Sequence, residues 1–291
     1  MPLLRATPAC YSRTPEPAPG VRRLRRLALL LVTLVALLAG PVAAETALPQ
    51  PDALRDGGSA SVTSIVDGDT IALDDGREVR FVGIQAPKLP LGRPGFRKWP
   101  FADEARAAVA DLAAGKRVSL HYGGRETDRY DRALAHLVTE DGVWLQGELL
   151  RRGLARVYSF ADNRALIAEM LALEAEARAA RRGIWRLDWY AVTPQEDAAR
   201  RIDEFALIEG RVTDVATVRG SGYINFGSDY KTDFTLSIAP RALRLFREQG
   251  IDLARYKGRM VRARGWVKSY NGPMIDITHP EQIEELSDET G

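Results

Sequence analysis

Residues 62–88 read V-T-S-I-V-D-G-D-T-I-A-L-D-D-G-R-E-V-R-F-V-G-I-Q-A-P-K, and this stretch constrains the chain more than any other. Apolar residues alternate from Val62 to Val66, break at Asp67-Gly68-Asp69, and resume at Ile71 and Leu73. A second turn, Asp74-Asp75-Gly76, returns the chain into Val79 to Ile84. Period-two apolar runs joined by tight Asp/Gly turns predict three short strands in an antiparallel meander.

The flanks extend this pattern in order. Leu89 to Pro100 holds three prolines and two glycines and reads as a loop at the mouth of the meander. Ala102 to Ala114 has helical spacing, with Ala105, Val109 and Leu112 on one face and Asp103-Glu104 in its first turn, where a helix dipole favours acids. Val118–Tyr122 and Ala133–Thr139 read as strands. Trp144–Arg151 reads as a short helix ended by Gly153, and Asp162–Arg182 as a long amphipathic helix with Leu166, Met170, Leu173 and Ala177 inward.

Further on, segments near 209–212, 223–226, 233–238, 260–267 and 274–277 read as strands, with a helix at 241–249 and a hairpin turn at Asn271-Gly272. The expected organisation is a leader at 1–44, a linker at 45–60, a first domain at 61–187, a charged linker at 188–204, and a β-rich domain at 205–286. Five β segments with one helix between the third and fourth suggest a small barrel of the oligonucleotide-binding (OB) type. Arg259, Arg262, Arg264 and Lys268 alternate with apolar residues, which predicts the solvent face of a strand. Tyr223, Phe226, Tyr230 and Lys231 suit either an aromatic-basic surface for single strands or core positions.

Arg22-Arg23-Leu24-Arg25-Arg26 precedes an apolar run from Leu27 to Ala39, a Gly40-Pro41 break and a small-residue end, Val42-Ala43-Ala44. That pattern predicts a secretory signal, with the run shorter than the roughly 20 residues of a spanning helix. Export to a periplasm or beyond is expected, with no stable membrane anchor after cleavage. The one cysteine, Cys10, falls in the leader, so the mature chain forms no disulfides. Residues 1–44 hold six of the 41 basic residues and one of the 39 acids, so the remainder carries 35 basic and 38 acidic residues, net −3. A bulk positive field is therefore excluded, and any nucleic-acid contact rests on local patches. His121, His136 and His279 are scattered without zinc-ligand spacing.

The D-G-D-T turn at 67–70, Arg80 in the third strand, Ala86-Pro87, D-R-Y-D-R at 128–132 and G-I-W at 183–185 stand in an order that resembles the thermonuclease (staphylococcal nuclease-like) family over roughly residues 60–187. The resemblance implies an α+β fold, a five-stranded OB barrel with flanking helices. It implies a Ca²⁺-dependent endonuclease acting on DNA and RNA. By position, Asp69 and Gln85 match the metal ligands, with Asp67 supporting them. Arg80 and Arg132 match the phosphate-gripping arginines, Lys88 the general base, and Tyr130, Tyr158 and Phe160 the nucleotide-lining aromatics. Gln85 and Lys88 replace two acids of the family pattern, and Asp131 replaces a glycine. Ca²⁺ affinity depends on ligand charge, and a charged ammonium accepts no proton. The expectation is family catalysis weakened or lost, with Asp103 or Glu104 as candidate replacement acids. The alternative is a non-catalytic nucleic-acid or phosphate binder, or a structural envelope protein, using Arg80, Arg132 and Lys88. Counting Asp69 against those three cations predicts a pocket of net +2.

Overall fold

The computed structural model of the chain describes residues 46–287. The expected leader and Cys10 lie outside the described residues.

The meander forms as the alternation dictates. β1 (Arg55–Asp67), β2 (Thr70–Leu73) and β3 (Glu78–Phe81) run antiparallel in turn, and β5 (Arg117–Tyr122) and β6 (Ala133–Thr139) close the sheet into a five-stranded barrel. The order around the barrel is β1-β2-β3-β6-β5, with β3 and β6 parallel. Closure leaves no free sheet edge inside the barrel. β1 starts at Arg55, within the stretch expected as a linker. Ile71, Val79, Phe81, Leu120 and Leu137 fill the interior and are fully buried.

Three helices cover one side: α1 (Ala102–Ala113), α2 (Leu145–Arg151) and α3 (Ile167–Ala179). α1 buries Ala102, Ala105, Ala108, Val109 and Leu112, so its core face is mostly methyl groups and lies close to the barrel. The long expected helix begins at Ile167 rather than Asp162; it buries Met170 and Ala177 as anticipated, and also Glu174. The G-I-W segment follows as a 3-10 turn, Gly183–Arg186. Gly183 sits back to back with Gly153, so close that a Cβ on Gly183 would lie 2.0 Å from the Gly153 carbonyl oxygen. Both have positive φ, and Ile184 N donates to Gly153 O at 2.8 Å. Only glycines permit that contact.

A short ladder outside the barrel matters for the site. β4 (Ile84–Gln85) pairs antiparallel with β7 (Arg156–Val157), placing Gln85 opposite Arg156.

The second half is a curled sheet. Its strands are β8 (Thr193–Pro194), β9 (Phe205–Arg211), β10 (Asp214–Val218), β11 (Ser221–Asn225), β12 (Thr235–Ile238), β13 (Met260–Ser269), β14 (Pro273–Ile277) and β15 (Ile283–Glu285), with α4 (Pro240–Glu248) packed on it. The order is β10-β11-β12-β14-β13-β9-β8, and β15 pairs with β13. Phe226 is core, tilted against Phe234 at 4.9 Å between ring centroids, while Tyr230 is exposed.

The sheet is fused to the barrel. Ala177, Ile184, Trp185, Tyr190, Phe205 and Leu207 form a separate core at the seam. Residues 188–204, expected as a linker, carry 3-10 turns at Asp188–Tyr190 and Gln195–Arg201. Tyr190 is buried there and donates its hydroxyl to Pro100 O at 2.8 Å. Arg264 departs from the expected solvent face: it is 1% exposed because Glu174 of α3 lies across the seam to receive it.

Candidate active site

The first hairpin turn sets the site. Asp67 Oδ1 accepts the Asp69 backbone N–H at 2.9 Å, an Asx turn that points both acids the same way. Gly68 between them presses on α1 and on the Ala86 segment, where a Cβ would lie 2.7 Å from the Cβ atoms of both Ala105 and Ala86. A glycine therefore lets the turn pack closely against both. Asp69 is fully buried and Asp67 nearly so.

A buried carboxylate needs partners, and Asp69 has four, the weakest being the Thr70 hydroxyl, which donates to Oδ1 at 3.4 Å. Ala86 N donates to Oδ2 at 2.7 Å, and Lys88 Nζ donates to Oδ1 at 2.6 Å and Oδ2 at 2.8 Å. Arg80 Nη2 stands 3.3 Å from Oδ2. Lys88 Nζ also reaches Asp67 Oδ2 at 3.3 Å. Burial alone would raise the Asp69 pKa, but the charges of Arg80 and Lys88 and the hydrogen bonds from Lys88 and Ala86 hold it down at about 2. Asp67 moves the other way, raised by burial and by the neighbouring charge of Asp69.

Arg80 is turned inward on its own backbone. Nη1 donates to Phe81 O at 2.7 Å and Asp69 O at 3.3 Å, and Nη2 donates to Ile84 O at 2.7 Å. Arg132 is held elsewhere. Its Nε and Nη2 donate to Asp128 Oδ2 at 2.9 and 2.7 Å, and Nη1 lies 3.9 Å from Glu78. The expected pocket of net +2 counted Asp69 alone. Asp67 supplies a second carboxylate, and Arg132 is paired with Asp128, so the cluster of Asp67, Asp69, Arg80 and Lys88 is formally neutral.

Gln85, at the position the resemblance gives to a metal ligand, is engaged by Arg156. Its Oε1 accepts Arg156 Nε at 3.0 Å and Nη2 at 2.6 Å. Arg156 is itself buried and donates Nη1 to Phe205 O of β9 at 3.0 Å; burial lowers its pKa to about 10. The sequence offered no sign of this, because L-A-R-V-Y carries no local mark of a buried arginine.

These donors do not fit Ca²⁺, which takes six to eight oxygens weighted toward carboxylates. Asp67 and Asp69 already hold an ammonium, and the Gln85 oxygen is taken. Among the described residues no group of three or more His, Cys, Asp or Glu is arranged for a metal ion. Asp103 pairs with Lys98 at the surface.

Tyr130 is exposed, with the guanidinium groups of Arg129 and Arg132 at 4.8 and 5.5 Å from its ring centroid. Tyr158 and Phe160 stand at the seam, in edge contact at 5.1 Å. The Tyr158 hydroxyl accepts Trp266 Nε1 at 3.1 Å, and its ring lies 4.8 Å from Phe205. Phe160 and Trp266 are both about half exposed, at 52% and 53%.

Residues 78–187 match the family model described as Staphylococcal nuclease homologue. The chain is 32% identical over 127 residues to an uncharacterized endonuclease of Escherichia coli, covering 43% of this chain and 74% of that protein. It is 30% identical over 132 residues to a thermonuclease of Staphylococcus hyicus, covering 43% and 73%. It is 33% identical over 163 residues to protein ParB of Escherichia coli, covering 49% and 82%. With a closed barrel of the OB type, and with about a third of the aligned residues identical over 73–82% of each relative's length, the chain belongs to the staphylococcal nuclease homologue family.

Proposed function

We propose that this protein engages nucleic-acid strands through their phosphate backbone and lacks the family's Ca²⁺- and glutamate-dependent cleavage. One observation carries the reading: Lys88, at the position of the general base, is locked onto Asp69 and Asp67. A charged ammonium bridging two carboxylates has no lone pair for a water proton. Asp69, held at about 2, is too weak a base to take one near neutrality. Asp67 has one oxygen on the Asp69 N–H and the other on Lys88. Asp103 is engaged by Lys98.

Binding has separate support. Relatives are named endonuclease and thermonuclease. The loop at 89–102 carries Arg93, Arg97 and Lys98 and no acid, and the Arg129 and Arg132 guanidinium groups lie by the exposed Tyr130. Cations interleaved with an exposed ring suit unpaired strands, whose backbone and bases offer charge and a stacking face. The leader pattern at 22–44 supports action outside the cytoplasm.

The test is fluorescence anisotropy of labelled single-stranded DNA with the purified chain across a salt series, run beside a cleavage assay. Salt-dependent binding with intact DNA supports the reading. Cleavage that Arg80→Ala abolishes overturns it.

A further inference from the structure

The geometry points to Lys88 as a built-in substitute for a metal ion, an ammonium plugging a latent divalent-cation site between Asp67 and Asp69.

The ammonium is placed as a bound cation is placed. Nζ lies 2.6 and 2.8 Å from the two Asp69 oxygens and 3.3 Å from Asp67 Oδ2, so one ammonium bridges both acids. A Ca²⁺ ion sits about 2.3–2.6 Å from such oxygens, so the ammonium occupies the space beside Asp69 that a bound cation would need. The tether is short and fixed at both ends. Two residues before Lys88, Ala86 N is bound to Asp69 Oδ2, and beyond it Trp99 N donates to Lys88 O at 3.0 Å. A ligand held by its own backbone competes as an intramolecular one, at an effective concentration that free ions do not match.

Charge makes the same distinction. With Lys88 and Arg80 present, the two carboxylates are neutralised, so a divalent ion entering would face no net attraction and would have to displace the ammonium. Without Lys88, the two acids outweigh Arg80 by one charge in a buried turn that Gly68 packs closely against Ala105 and Ala86. The proposal shares the Lys88 contact with the functional reading, but it concerns ion binding and not cleavage.

The experiment is calcium titration of the full chain by calorimetry and by thermal melting, repeated on Lys88→Ala and on Lys88→Ala with Asp69→Asn. The wild type is expected to give neither binding heat nor a calcium-dependent shift in Tm at millimolar Ca²⁺. Lys88→Ala is expected to bind Ca²⁺ at least about tenfold more tightly than the wild type, with a raised Tm that the double variant loses. Lys88→Gln, which keeps most of the stem, carries the same expectation should Lys88→Ala not fold. Two results overturn the proposal: calcium binding by the wild type that Asp69→Asn removes, or folded Lys88 variants with no calcium response. A wild type that cleaves DNA yet ignores calcium overturns the functional reading alone. One that binds calcium through Asp69 without cleaving overturns this proposal alone.

Discussion

Arg264 of the second sheet meets both carboxylate oxygens of Glu174 on helix α3, Nη1 to Oε2 and Nη2 to Oε1, at 3.0 Å each. Both side chains are almost entirely buried. Glu174 Oε2 also accepts Val157 N at 2.6 Å, and Arg178 and Glu284 extend the network. Burial alone would raise the Glu174 pKa, but the charges of Arg264 and Arg178 and its hydrogen bonds lower it. Barrel and sheet are thereby joined through charge in a buried seam, where removing one partner strands the other.

Arg264→Ala or Glu174→Ala is therefore expected to lower stability by about 3–5 kcal/mol. Denaturant unfolding checks this, and the wild type is expected to unfold in one transition covering both halves. A separately melting barrel would show the seam to be weak.

Gly68→Ala is expected to cost about 1–3 kcal/mol, because the new methyl would enter space held by Ala105 and Ala86. The same crowding would loosen the Asp67–Asp69 turn. Thermal melting reads the loss, and an unchanged Tm would contradict the close approach.

Arg80 and Arg132 should separate. Arg80→Ala removes contacts to three backbone carbonyls and buried Asp69, so a loss of about 3 kcal/mol or more is expected. Arg132→Ala opens a partly exposed pair with Asp128 and should cost under about 1 kcal/mol. If Arg132 meets phosphate, its loss should also weaken single-strand binding and reduce the salt slope by about one. Unfolding and anisotropy on the two variants give both readouts.

His136 and His279 are buried and neutral, with pKa values lowered by burial to about 3 and about 4 from 6.5. The unfolded chain takes up protons below 6.5 while the folded chain does not, so stability is full above pH 6.5 and falls as pH drops toward 4. Between pH 6.5 and 5 the loss is about 2 kcal/mol per histidine. Asp69 acts in a lower window: its contribution is present above 3.8 and is lost as pH falls through about 2. Melting curves from pH 7.5 to 4.5, with His279→Gln as comparison, test the histidine part.

The barrel was legible because local rules agree along 62–84: strand alternation, Asp/Gly turns and the apolar face of 102–113 all require the same packing. The departures at Gln85 and Lys88 were legible as residue types. Their partners were not. Lys88 reaches Asp69 across 19 positions and Arg156 reaches Gln85 across 71, contacts that only the closed barrel and the β4–β7 ladder create. Alternation placed Arg264 on the outer face of β13 but carried no information that α3 covers that face with Glu174. The same holds for Tyr158, whose hydroxyl meets Trp266 of a strand 108 positions away.

Cleavage of single-stranded DNA by the purified chain, with Ca²⁺, Mg²⁺, Mn²⁺ or chelator in parallel, tests the central claim most directly. The comparison protein carries Gln85→Asp with Lys88→Glu. The natural chain is expected to leave the DNA intact under every condition, whatever the double variant does. Cutting by the natural chain that Arg80→Ala removes would contradict the account and return this site to the family's nucleases.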